Sequence, residues 1–314
     1  MDDRKMTTRS TGTTIGLRLI LLSLLLPLIV QAAEIRPLPP EGAETLQSTA
    51  FPLVVDDHAA PLVVASDAPE VIRIAVQDFA DDVERVTGHR PAIRHRPPGG
   101  GAPYVRVGIH PALENRWEAF QLSSSAQVLA VEGADPRGVA YGVYELSRRI
   151  GVSPWYWWAD VPVQPRAELY LSAAREPIDE PAVRYRGIFI NDECWGLGAW
   201  ARKTFDPDTG TLGPKIYERV FELLLRLRAN ALWPGMHPCT TPFHQVEGNS
   251  ELADDYAIVV GSSHAEPMLR NNVGEWDHPK DHYNFLTHRD TVMNYWEERV
   301  KERRSGESLW TLGM

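Results

Sequence analysis

The sequence predicts an α/β protein in which a small N-terminal α/β domain is followed by about four β/α units, the first half of a (β/α)8 barrel of TIM type. Three observations predict it. Short apolar runs alternate with longer stretches whose apolar residues recur at helical spacing. From Tyr185 onward the order settles into strand, loop, helix, strand. Three of those strands end in clusters of carboxylate, imidazole, amide and indole groups, and barrel folds build their sites at that end. A length of 314 residues suffices for about two domains, but a complete barrel needs eight units. The expectation is therefore a chain that stops within its barrel, with strand edges left exposed.

The elements follow in order. Arg4, Lys5, Arg9 and Arg18 precede an apolar run over residues 19–30, and Val30-Gln31-Ala32 suits signal peptidase. That run is too short to span a bilayer, so residues 1–32 are expected to be a signal peptide of a secreted or periplasmic protein, a retained anchor being the alternative. Residues 33–60, rich in Pro, Ala and Glu, read as a lead-in segment. The α/β domain is expected over residues 61–178. Pro61-Leu62-Val63-Val64 is its first strand. Asp67 is a candidate cap for a helix carrying Ile72, Ala75, Val76, Phe79, Val83 and Val86, which Gly88 ends. Residues 104–109 and 127–131 read as strands. A second helix shows Val139, Val143, Leu146 and Ile150 on one face and stops at Gly151.

The junction holds Trp155-Tyr156-Trp157-Trp158, either an aromatic wedge between domains or a platform for a pyranose face. The barrel region is expected over residues 183–314. Its strands are residues 185–190, 231–233, 257–261 and 308–312. A helix opened by Pro214 buries Ile216, Val220, Leu223, Leu224 and Leu227, and another runs from about Thr291 to Arg303.

Charge and cysteine content narrow the function. The net charge of −10 includes a basic leader, so the remainder is more acidic still. Such a surface argues against nucleic acid, whose binding rests on neutralising phosphates. An anionic sugar needs only a local basic pocket. Cys194 and Cys239 follow consecutive strands, so a bridge is open to them, though two buried free thiols are the expectation. No Walker sequence, dinucleotide fingerprint, GxSxG elbow or HExxH is present, and no cofactor or metal is expected.

The candidate site residues sit at the strand ends. They are Asn191, Asp192 and Glu193 after the first strand, Trp233 and His237 at the second, and His264, Glu266 and Asn271 after the third. A carboxylate there can cap the next helix instead, and His264 with Glu266 could bind a metal. Their convergence on one face favours a site. Glycoside hydrolysis needs carboxylates as acid and base, amides and imidazoles to read hydroxyls, and indoles to stack on rings. His278, His282 and His288 lie in a polar loop and are expected to face solvent.

Longer strings carry a resemblance. Gly151–Pro162, Arg186-Gly187-Ile188-Phe189-Ile190-Asn191-Asp192-Glu193, Asn230-Ala231-Leu232-Trp233-Pro234 and Gly261–Asn272 resemble the xylan α-glucuronidases of glycoside hydrolase family 115, from about residue 60 onward. The resemblance implies removal of glucuronic acid or its 4-O-methyl form from glucuronoxylan or xylo-oligosaccharide, with inversion. Inversion asks for an acid and a base roughly 6.5–9.5 Å apart. Asp192 matches a family active-site acidic position, and His264 and Glu266 match positions after the third strand. Asp192 and Glu193 are thus the catalytic candidates, with Asp192 better suited to substrate binding or electrostatic support. Asn191 would join them at the ring or at the attacking water. Trp233 and His237 would wall the pocket, and His264, Glu266 and Asn271 would bind hydroxyls or the uronate. The family continues past Gly-Met with Arg-Gly-x-x-Asp, where this sequence ends at Gly313-Met314, so the resemblance implies an N-terminal fragment, inactive alone, with its acid and base beyond residue 314. A non-catalytic sugar-binding module, or a related glycosidase acting on another sugar, are the alternatives.

Overall fold

The computed structural model describes residues 50–172, 175–303 and 306–313. The expected signal peptide lies outside the described residues.

Alternation of apolar residues begins earlier than expected. Phe51–Val55 (β1) and His58–Ala59 (β2) form an antiparallel hairpin within the stretch read as lead-in, turning through Asp56 and Asp57 at φ 49° and 62°. Leu62–Val64 (β3) is fully buried and leads to the helix Glu70–Thr87 (α1). Its inward face is the expected set, Ile72, Ala75, Val76, Phe79, Val83 and Val86. Gly88 ends it at φ 79°, a conformation that favours glycine. Asp67 does not cap it: Pro69 holds that place, with no side-chain hydrogen bond.

Ile93–Arg94 (β4), Tyr104–Ile109 (β5), Phe120–Ser124 (β6) and Val128–Gly133 (β7) complete a sheet of order β4-β3-β5-β7-β6, parallel except for β6. The helix Pro136–Arg149 (α2) packs on this sheet and against α1. Asp135 caps it by accepting from Gly138 N at 2.9 Å. Gly138 has no room for a side chain, since a Cβ there would lie 2.3 Å from the Ala119 carbonyl oxygen. Leu169–Leu171 (β8) returns to pair with β1.

The β/α rhythm then takes over. Gly187–Phe189 (β9), Leu197–Thr204 (α3), Pro214–Arg226 (α4), Ala231–Trp233 (β10), Asn249–Asp255 (α5), Val259–Val260 (β11) and Arg289–Glu302 (α6) follow. The strands β9, β10 and β11 are parallel neighbours in chain order. The expected fourth strand is a single parallel bridge, Val260 to Ser308. Two hydrogen bonds hold it there, Leu309 N to the Val260 carbonyl at 3.0 Å and Val260 N to the Glu307 carbonyl at 3.3 Å. β11 has only two residues, so it offers too short a ladder for more.

One buried carboxylate joins the two regions. Glu118 is fully buried at φ 52°, its amide donating to the capping Asp135 at 2.7 Å. Its carboxylate accepts from Arg137, Arg186 and Asn230, and from the Tyr141 hydroxyl at 3.4 Å. These partners reach the starts of β9, β10 and β11. Arg186 precedes β9, Asn230 precedes β10, and Arg137 donates to the Ala257 carbonyl before β11 at 3.0 Å. Asn230 Oδ1 also accepts from Arg186 N at 2.9 Å, fixing the register of β9 against β10. A second contact sets α4 on α1, where Arg226 donates to Asp82 at 2.7 Å and to Glu222 at 2.8 Å. The described residues belong to one compact unit.

Removing one partner from a buried ion network leaves uncompensated charge. Glu118→Ala is expected to lower unfolding stability by about 3–5 kcal/mol. Glu180→Ala, at the exposed pair with Arg116, should lower it by less than about 1 kcal/mol. Urea denaturation of both variants checks this, and equal midpoints would contradict the clamp.

Candidate active site

With the strand starts clamped, the opposite ends of β9, β10 and β11 carry the decorated loops. After β9 the chain passes Asn191 and Asp192, both exposed, into a short 3₁₀ turn, Glu193–Trp195. Asp192 has no side-chain hydrogen bond in capping that turn, and its carboxylate stays open to solvent.

Glu193 turns the other way. It is 0% exposed, and Oε1 accepts from His237 N at 2.6 Å and from Thr240 Oγ1 at 3.4 Å. Gly235 lies against it, where a Cβ would come within 3.1 Å of the carboxylate. Glu193 therefore holds the loop after β10 in place, and no face of it is open to a sugar. The expected pairing of Asp192 with Glu193 at one substrate is not what the geometry provides.

The same two loops are covalently joined. Cys194 and Cys239 form a disulfide with Cα atoms 5.8 Å apart, where two buried free thiols were expected, and Cys194 is exposed. Adjacent parallel strands bring the loops that follow them side by side, which is how residues 45 apart in sequence meet.

Trp233 ends β10 with its ring edge-on to Phe189 at 5.4 Å, and its indole fills the space that a side chain at Gly261 would take. It is partly exposed, as a pocket wall requires. His237 is half-buried and joins the network through its backbone. His264 is exposed.

Glu266 and Asn271 are buried, and their polar atoms face inward. Glu266 Oε2 accepts from Ser263 N at 3.4 Å, and its carbonyl accepts from Ser262 Oγ at 2.7 Å. Burial pushes the Glu266 carboxyl up to about 7, with the nearby charges of Glu275 and Glu193 acting the same way and hydrogen bonds from Ser263 opposing. Asn271 ties its own loop to the one after β10. It donates to the Met236 carbonyl at 2.9 Å and accepts from Val273 N and Gly274 N.

Two features beneath the loops carry no clear sequence signal. His244 lines a narrow cavity with Glu266, Asn271 and Glu275, and its Nδ1 meets Ser250 Oγ at 2.9 Å. Burial, reinforced by Arg299, Arg303 and Arg270, holds its imidazole well below the usual histidine range and therefore neutral. Glu275 accepts from Arg270 and from Arg299 of α6, all three side chains buried, where Arg270 and Glu275 lie in a polar stretch that reads as loop. Among the described residues no group of three or more His, Cys, Asp and Glu is placed to hold a metal ion.

The aromatic junction is a wedge. Trp157 packs on Trp158, Trp200 and Phe205 at 4.9–5.9 Å, Trp158 donates to the Arg219 carbonyl at 3.1 Å, and Tyr156 donates to Glu222 at 2.9 Å. These rings join α3 and α4 to the α/β domain. His282 and His288 stack on each other at 3.9 Å and are half-buried rather than facing solvent, while His278 is exposed.

A small α/β domain is clamped to parallel β/α units, with carboxylate, imidazole and indole groups gathered at the strand ends, the end at which barrel enzymes build their sites. The particular family follows from comparison: residues 178–314 match glycosyl hydrolase family 115. A solved structure described as a family GH115 4-O-methyl-α-glucuronidase, BtGH115A, with specificity for decorated arabinogalactans, is 41% identical with a TM-score of 0.75. The match covers 81% of this chain and 35% of that one, so this chain spans about a third of that relative's length. The Flavobacterium johnsoniae chitobiase is 10% identical at a TM-score of 0.45, covering 68% of this chain and 32% of the other. A Streptomyces plicatus β-hexosaminidase is 14% identical at 0.45, covering 69% and 44%. No curated protein matches the chain.

The raised Glu266 carboxyl makes stability depend on pH in a defined direction. Between about 4.5 and 7 the folded state keeps a proton that the unfolded state has lost, so stability falls as pH rises through that window. Asp78, also pushed up to about 7 by burial and by Glu222, acts with the same sign. Glu266→Gln removes only the first contribution. Its stability relative to the wild type should therefore improve by on the order of 1–3 kcal/mol between pH 4.5 and 8. Denaturation at both pH values tests this, and a constant difference would show that Glu266 ionises normally.

Proposed function

We propose that this chain forms part of the site of an α-glucuronidase that removes glucuronic acid, or its 4-O-methyl form, from polysaccharide side chains by an inverting acid/base mechanism. The observation that carries the proposal is the exposed Asp192, three residues past β9, whose side chain caps no turn while its neighbour Glu193 is fully buried. Glu193 and Asn271 are committed to holding loops, so Asp192 is the carboxylate of this set free to meet a sugar.

In this reading β9, β10 and β11 belong to a (β/α)8 barrel, and the uronosyl ring lies across their C-terminal ends. Asp192 and Asn191 accept from and donate to its hydroxyls, Trp233 flanks its face, and His237 and His264 border it. Glu266, largely protonated below about pH 7, then removes one negative charge from beneath an anionic ring. That would lower repulsion of the uronate. The sequence resemblance favours glucuronoxylan as the polymer, and the named specificity of BtGH115A favours decorated arabinogalactan. Both readings share the sugar that is removed. The basic and apolar leader supports export to where such polymers are met.

The test uses a protein carrying this chain together with the remaining length of the family fold. Uronic acid release is measured from glucuronoxylan and from uronate-decorated arabinogalactan. Asp192→Ala should reduce turnover roughly a hundredfold, the scale of losing one preorganised electrostatic contact. Near-normal turnover would remove Asp192 from the site.

A further inference from the structure

Trp195 stands apart from the other tryptophans. It is 91% exposed, the most exposed of the ten in the chain. Among the described residues its ring meets no other aromatic ring and no guanidinium, whereas Trp157, Trp158, Trp200, Trp233, Trp276 and Trp296 all pack on other rings. An exposed indole offers a broad apolar face with a polar N–H at its edge, a surface suited to a stacking ligand.

Its backbone, by contrast, is firmly held. Trp195 N donates to the Asp192 carbonyl at 3.0 Å, closing the 3₁₀ turn that follows β9. The preceding residue, Cys194, is bonded to Cys239 of the next loop. Glu193, one residue earlier, is buried and bonded to His237 N. Three successive residues are thus a buried anchor, a covalent staple and a bare indole. A flexible loop would lose entropy on ordering over a ligand, and this one is already ordered.

We infer that Trp195 is a stacking platform for a neutral pyranose of the polysaccharide backbone that bears the uronate, lying beside the uronosyl position marked by Asp192. An indole face suits the apolar C–H face of a pyranose, and a neutral sugar needs no charged partner. The placement rests on the reading of Asp192 given above. The disulfide has a role here too, since it fixes the loop that carries the ring.

The test uses oligosaccharides without a uronate, so that its failure is distinct from failure of the Asp192 assignment. Linear xylohexaose and a neutral β-galacto-oligosaccharide are titrated calorimetrically into the full chain and into its variants. One of the two should bind the wild type, and which one binds names the backbone. Trp195→Ala should weaken that binding about tenfold, and Trp195→Tyr should retain most of it. The Cys194→Ser/Cys239→Ser pair should weaken it as well, with Trp195 itself intact. Because Trp195 is exposed, Trp195→Ala should keep the wild-type thermal midpoint, which separates loss of binding from loss of fold. No binding of either probe to the wild type, or undiminished binding to Trp195→Ala, overturns the inference. Uronate release is measured separately and bears only on Asp192.

Discussion

The buried carboxylate of Glu118 is the constraint on which the arrangement depends. In a low-dielectric interior an unpaired carboxylate is costly, and it is tolerated only when its lone pairs are filled. Here two guanidinium groups, an amide and a phenol fill them, drawn from three parts of the chain: Arg137 and Tyr141 on α2, Arg186 before β9 and Asn230 before β10. Satisfying that one group brings together the start of α2 and the starts of β9 and β10, and Arg137 extends the set to β11. The α/β domain thereby acts as the base on which the parallel strands stand.

A clamp at one end of a parallel sheet leaves the other end to function. The loops after β9 and β10 are joined twice, by the Cys194–Cys239 bridge and by Glu193 accepting from His237 N. Below them burial shifts two ionisable groups in opposite directions, Glu266 upward and His244 downward. Both shifts favour the neutral form, as desolvation requires. The floor of the candidate site therefore carries less charge than its composition suggests. That suits the proposed anionic sugar, with Asp192 left as an open carboxylate at the rim.

Much of the fold was legible because it follows from periodicity. The helical spacing from Ile72 to Val86, the glycine at 88, the proline at 214 and the run Ala231-Leu232-Trp233 all specify local structure by local means. What stayed hidden depends on partners distant in sequence. Asp67 reads as a cap, but Pro69 takes that place on α1, whereas Asp135 caps α2 and also accepts from the amide of Glu118, 17 residues away. Phe51–Val55 looks like lead-in until β8 arrives to pair with it. At the site, the clustering of residues at strand ends was legible, but the direction of each side chain was not. Asp192 and Glu193 are adjacent in sequence, yet one faces water and the other is fully buried. Asn271 reads as a sugar ligand until its amide nitrogen is found on the Met236 carbonyl of the loop after β10 and its oxygen on Val273 N and Gly274 N. The disulfide was hidden for the same reason, since its feasibility depends on how close two loops come.

The central claim is that sugar is bound at the C-terminal ends of β9 and β10, at the rim marked by Asp192. A crystal structure with 4-O-methyl-D-glucuronic acid bound tests this most directly. The account predicts a ring hydroxyl or the uronate within hydrogen-bond reach of Asp192 or Asn191, with Trp233 against the ring. A sugar bound instead at the opposite end of the strands, in the cleft lined by Tyr141, Asp179, Arg186 and Arg228, would contradict it.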